Sequence, residues 1–156
     1  MKKHIKDFIL MQALLIIAFS LLLVVCNEIG QKNNKGLSIL LSCMSVSCIH
    51  EIGHFFSALI CKIPIYGMGF EFRWIIPRAY TKVNLKGISK NRIILFYLGG
   101  IIGTGILLII LFLFNEICMI DTTYIQMIAF LSIMINLIPI YKNDGYYIMK
   151  HIKNFN

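Results

Sequence analysis

Residues 37–63 read LSILLSCMSVSCIHEIGHFFSALICKI. Apart from His50, Glu51 and His54, no charged or basic residue interrupts the stretch until Lys62. At about 1.5 Å of rise per residue, a helix of this length exceeds the roughly 30 Å hydrocarbon core of a bilayer. Each ionisable side chain near the middle of such a helix costs about 2–3 kcal/mol or more, so these three are read as functional. The stretch therefore predicts an apolar helix that carries chemistry within it.

The flanking sequence has the same character. Three further apolar segments run from Phe8 to Cys26, from Ile93 to Phe114 and from Tyr124 to about Ile138, where Pro139 should stop the last helix. Only 14% of the 156 residues are charged and 58% are hydrophobic, and mean hydropathy is +0.80. A soluble domain of this length would carry about a quarter charged residues. The expected class is an all-α integral membrane protein with four transmembrane helices, forming one domain over residues 1–156. The segment 8–26 is read as a retained first span because its apolar run is long for a signal peptide.

The net charge of +8 is carried by short segments between the apolar blocks. It is read as topology, not as a nucleic-acid surface. Lys2, Lys3 and Lys6 precede the first span. Lys62, Arg73, Arg78, Lys82, Lys86, Lys90 and Arg92 lie between the second and third, and Lys142, Lys150 and Lys153 follow the fourth. Residues 115–123 hold Glu116 and Asp121 and no basic residue. The expected location is a cell membrane, with both termini and the 64–92 linker cytoplasmic. Within that linker, alternation through Phe70, Phe72 and Trp74, then Pro77 and a second β-prone run at Ala79 to Val83, suggests a β-hairpin at the membrane surface. An amphipathic interfacial loop fits the same residues. Gly99, Gly100 and Gly103 read as a close helix contact. The five cysteines form no Cys-x-x-Cys pair and read as small buried hydrophobes.

His50-Glu51-Ile52-Gly53-His54 is an H-E-x-x-H motif. Residues four apart share a helix face, so both imidazoles can reach one ion. Zinc accepts two such nitrogens, a third protein ligand and a water. Glu51 lies beside that water and can take its proton. For the third ligand, Asp7, Glu28, Glu116 and Asp121 sit at outer or terminal edges, and Glu71 lies in the cytoplasmic linker. The fourth apolar segment is only about 22 Å long as a helix. The chain after Pro139 should therefore be irregular at membrane depth, beside a protein-lined cavity. That places Asp144 within reach of the two histidines. A solvent-facing site with a Glu as third ligand is the alternative.

His50-Glu51-x-x-His54, the glycines opening the third span, and Asn136-Leu-Ile-Pro139 followed by Asp144-Gly145 together resemble the site-2 protease family of intramembrane zinc metalloproteases. The likeness covers about Leu37 to Met149, with the first span as an addition to a three-helix core. It implies zinc held by His50, His54 and Asp144, water activation by Glu51, and help from Asn136 in holding substrate. The active site would lie toward the cytoplasmic half of the membrane, acting on a transmembrane or membrane-associated peptide. The Asp-Gly-Tyr-Tyr ending is similar to small members linked with bacterial peptide maturation. Ile101 in place of a Pro after Gly100, and Lys142-Asn143 before Asp144, depart from the usual pattern. A non-catalytic membrane chaperone or immunity protein retaining a zinc site is the competing reading. No Gly-x-Ser-Gly or Gly-x-Gly-Asp element suggests a serine or aspartyl membrane protease.

Overall fold

The long apolar stretch forms helix α1, Lys35–Ile60. In the computed structural model, residues 35–73, 76–118, 122–140 and 142–153 are described. The expected first span, Trp74 and Asp121 fall outside them. The end of α1 follows from local chemistry. Lys62 turns left-handed at φ 54°, its N–H reaches the Leu59 carbonyl at 3.1 Å, and the Ile63 N–H reaches Ala58 at 2.8 Å. This pair of bonds satisfies carbonyls a helix end leaves orphaned. Pro64 cannot continue the helix, and Ile63 is buried with Ala58, Cys61 and Phe96.

Strands β1, Ile65–Arg73, and β2, Ile76–Val83, then form an antiparallel hairpin. The hairpin expectation holds over the loop alternative. Its register sets Phe70 opposite Ala79 and Phe72 opposite Pro77, with a bulge between Ile65 and Gly67. Pro77, expected ahead of the second strand, lies within it. The pair folds back along α1: Met68 and Ala79 are buried against Cys48, Ile52 and Phe55, and the Thr81 hydroxyl donates to the Glu51 carbonyl at 3.2 Å. Cys48 is thereby a core residue, as read from the sequence.

Helix α2, Lys90–Cys118, and helix α3, Thr123–Leu137, match the third and fourth apolar segments. Two helices, α1 and α2, are long and apolar enough to cross a membrane. They cross at glycines. A Cβ on Gly53 would run into the Gly99 carbonyl, and one on Gly103 would meet Gly53 Cα at 3.0 Å. Beyond the crossing, Val46 packs with Leu107, Leu111, Ile125 and Ala129, joining α1, α2 and α3. Ser38, Ser42 and Ser45 are fully buried on this part of α1, where small side chains let helices approach closely. Around this core the outward faces are apolar: Leu40 and Phe56 on α1, Ile102, Ile109 and Phe112 on α2, and Phe130 and Ile135 on α3 are all exposed.

The chain after Pro139 differs in part from expectation. It is irregular only briefly, and from Asp144 it forms a fourth helix, α4, Asp144–Ile152. Asn143 is the reason. Its side-chain oxygen accepts from the Tyr146 N–H at 2.9 Å, capping α4. Its side-chain nitrogen donates to the Ile135 and Ile138 carbonyls, each at 2.6 Å, at the end of α3. One side chain thus starts α4 and ties it to the preceding helix. The short length of α4 accounts for its absence from the apolar pattern.

Candidate metal centre

His50 and His54 stand one turn apart on α1 and project toward α2. Asp144, the first residue of α4, enters from the other side. The carboxylate Oδ2 lies 2.8 Å from His50 Nε2 and 3.2 Å from His54 Nε2, and the two Nε2 atoms are 3.2 Å apart. His50, His54 and Asp144 form a cluster that can hold a metal ion. Their side chains are 13%, 6% and 13% exposed, so the centre is shielded but has an opening. Burying a carboxylate between two imidazoles is costly unless it is paired or coordinates a cation.

Each ligand is held from behind. His54 Nδ1 lies 2.9 Å from the Phe96 carbonyl. A carbonyl only accepts, so this nitrogen carries a proton, and in the neutral ring Nε2 is the bare nitrogen facing the cluster. His50 Nδ1 lies 3.1 Å from Thr104 Oγ1. Below the rings, a Cβ on Gly100 would meet His54 Nε2 at 2.5 Å and His50 Nε2 at 2.6 Å. The backbone of α2 therefore forms the floor of the centre, and any side chain at position 100 would fill the space between the two nitrogens.

Asp144 depends on its neighbour in the same way. A Cβ on Gly145 would meet the Asn136, Leu137 and Ile138 carbonyls at 2.6, 2.8 and 3.0 Å. The glycine is needed for this close approach of α4 to the end of α3, not for a left-handed backbone turn. Tyr147, on the same short helix, stacks on Tyr97 with centroids 4.9 Å apart and 9° between planes. Tyr97 meets the His54 ring edge-on at 6.5 Å. Tyr147 of the Asp-Gly-Tyr-Tyr segment thus faces inward.

Glu51 is half-buried on α1 between the two histidines, and its charge acts on His54. It is not one of the clustered donor groups. Asn136 stands in the last turn of α3, where its side-chain nitrogen donates to Ser132 O at 3.0 Å. It is not drawn into the cluster. Glu116, exposed near the far end of α2, is about 24 Å along the helix from Gly100. Among the described residues, Asp144 is the carboxylate that joins the two histidines.

The sequence reading gives Thr104 and Asn143 no role at the centre. Thr104 had a signal: it is the one Ser or Thr within the apolar run 93–114, where a polar group asks for a partner. Asn143 had one too, as an N-cap residue type directly before Asp-Gly. Comparisons with models of known protein families, with curated proteins and with solved structures find no match to this chain.

Proposed function

We propose that this chain is a membrane-embedded zinc metallopeptidase that hydrolyses a peptide bond in a transmembrane or membrane-associated peptide. The observation that carries the reading is the convergence of His50 Nε2, His54 Nε2 and Asp144 Oδ2 on one point, with Glu51 adjoining. Donor atoms sharing a tetrahedral ion at bond lengths of about 2.0–2.1 Å stand about 3.3 Å apart. The separations of 2.8, 3.2 and 3.2 Å fit three corners of such a site and leave the fourth open. Two imidazoles and one carboxylate are a ligand set suited to catalytic zinc.

Zinc bound there would polarise the scissile carbonyl and make a water more acidic. Glu51 takes the proton from that water and passes it to the leaving nitrogen, as general base and then general acid. The Nδ1 partners of His50 and His54 hold the two rings in place. The limited exposure of the centre keeps bulk water away, which strengthens the charges that act on the substrate. The exposed apolar faces of α1, α2 and α3 support a lipid setting, since a soluble monomer seldom exposes so much contiguous apolar surface.

The test compares three variants of purified protein in detergent. Glu51→Gln should keep the metal and lose cleavage by about a hundredfold or more. Asp144→Ala should lose both metal and cleavage, while Glu116→Ala changes neither. Peptidomics of membranes carrying wild type or Glu51→Gln should show a fragment unique to wild type. Metal retained with no such fragment would reduce the chain to a metal-binding membrane chaperone or immunity factor.

A further inference from the structure

We propose that Thr104 is a positioning residue for the metal centre: its hydroxyl fixes the tautomer and ring angle of His50 so that Nε2 presents a lone pair to the ion. This rests on the metal reading above. Thr104 is fully buried, at a depth where α2 is otherwise apolar. Its Oγ1 donates to the Gly100 carbonyl at 3.0 Å. A hydroxyl has one proton, and that bond uses it. Toward His50 Nδ1, 3.1 Å away, Oγ1 can then only accept. His50 Nδ1 is then the nitrogen that donates, and in the neutral ring Nε2 is the bare one.

The consequence appears at the cluster. With His54 fixed by the Phe96 carbonyl and His50 by Thr104, two bare nitrogens and a carboxylate oxygen face one another 2.8–3.2 Å apart. Three acceptors with no proton between them repel, and a cation at their centre relieves that repulsion. The two histidines differ in what holds them. His54 is held by backbone, which substitution at position 96 leaves in place. His50 is held by a side chain, so the tautomer of this one ligand is set by residue identity at position 104. Residues 100 and 104 lie on one face of α2: Gly100 makes the room and supplies the acceptor, and Thr104 relays the direction of the proton.

The experiment measures zinc affinity of the purified full chain in detergent by competition with a chromophoric chelator. It compares wild type with Thr104→Ser, Thr104→Val and Thr104→Ala, alongside thermal unfolding of each metal-free protein. Loss of a group that hydrogen-bonds a metal-ligating histidine typically weakens binding about 10- to 100-fold. Affinity should follow the hydroxyl: Ser close to wild type, Val and Ala each weaker by that factor. The metal-free Val and Ser variants should melt close together. Val binding as tightly as wild type, or affinity following side-chain size with Val above Ser, overturns the proposal and leaves the metal reading intact. A wild-type chain that takes up no zinc overturns both. If Val fails to fold, the Ser-against-Ala comparison decides in the same way.

Discussion

At the scale of single residues, the centre is built as much by atoms that are missing as by those present. Gly100 and Gly145 each stand where a methyl group would meet polar atoms at 2.5–3.0 Å, closer than real Cβ contacts. Gly145 lets α4 seat on the carbonyl end of α3, and its neighbour Asp144 gains its position from that seat. Gly100 keeps open the space beside the two Nε2 atoms. Gly100→Ala would improve intrinsic helix propensity by about 1 kcal/mol, yet the methyl must displace both rings. The expected outcome is a helix that remains formed, by circular dichroism, and a zinc affinity lowered by about tenfold or more. Unchanged affinity would mean the rings lie farther from α2 than 2.6 Å allows.

At the scale of elements, α1 does two jobs. One face carries the histidines toward α2 and α4. Another accepts the hairpin, through Cys48, Ile52 and Phe55 against Met68 and Ala79. The Thr81 bond to the Glu51 carbonyl ties β2 to the motif itself. Among the described residues no third strand pairs with β1, and an extended peptide added alongside it would be held as a strand. A peptide substrate must be unwound before cleavage, and an added strand beside the motif would hold it extended. Proline placed singly at Phe70 or Phe72, on β1, should reduce cleavage while zinc remains bound. Full activity in both variants would exclude β1 as the substrate platform.

At the scale of the whole molecule, one end is basic. Lys62 follows α1, Lys90 and Arg92 open α2, and Lys150 and Lys153 close α4. Lys90 Nζ reaches the Ile152 carbonyl at 3.0 Å, fastening the start of α2 to the end of α4. The motif lies nearer this end of α1, ten residues from Ile60 against fifteen from Lys35. By the positive-inside rule this end would be the cytoplasmic one, against Lys35 at the opposite end of α1. In a background lacking the five native cysteines, Lys86→Cys should resist a membrane-impermeant thiol reagent on intact cells, and Thr123→Cys should react. Both positions are exposed, so the reverse pattern would invert the topology. The sequence by itself determined the apolar helices, the stop of the last long one at Pro139 and the pair of candidate ligands on α1, and it offered a hairpin after them as one of two readings. These are properties of spacing, and spacing of one turn or one alternation is written in neighbouring residues. It also brought Asp144 into consideration, by the shortness of the fourth apolar segment. Only the tertiary structure decided that Asp144 opens a helix capped by Asn143, that Gly100 and Gly145 are demanded by contact, and that Thr104 and the Phe96 carbonyl stand behind the two histidines. The contacts of Phe96 and Thr104 with the histidines join residues 42 and 54 positions apart, and no local period of the chain encodes how closely two helices must approach.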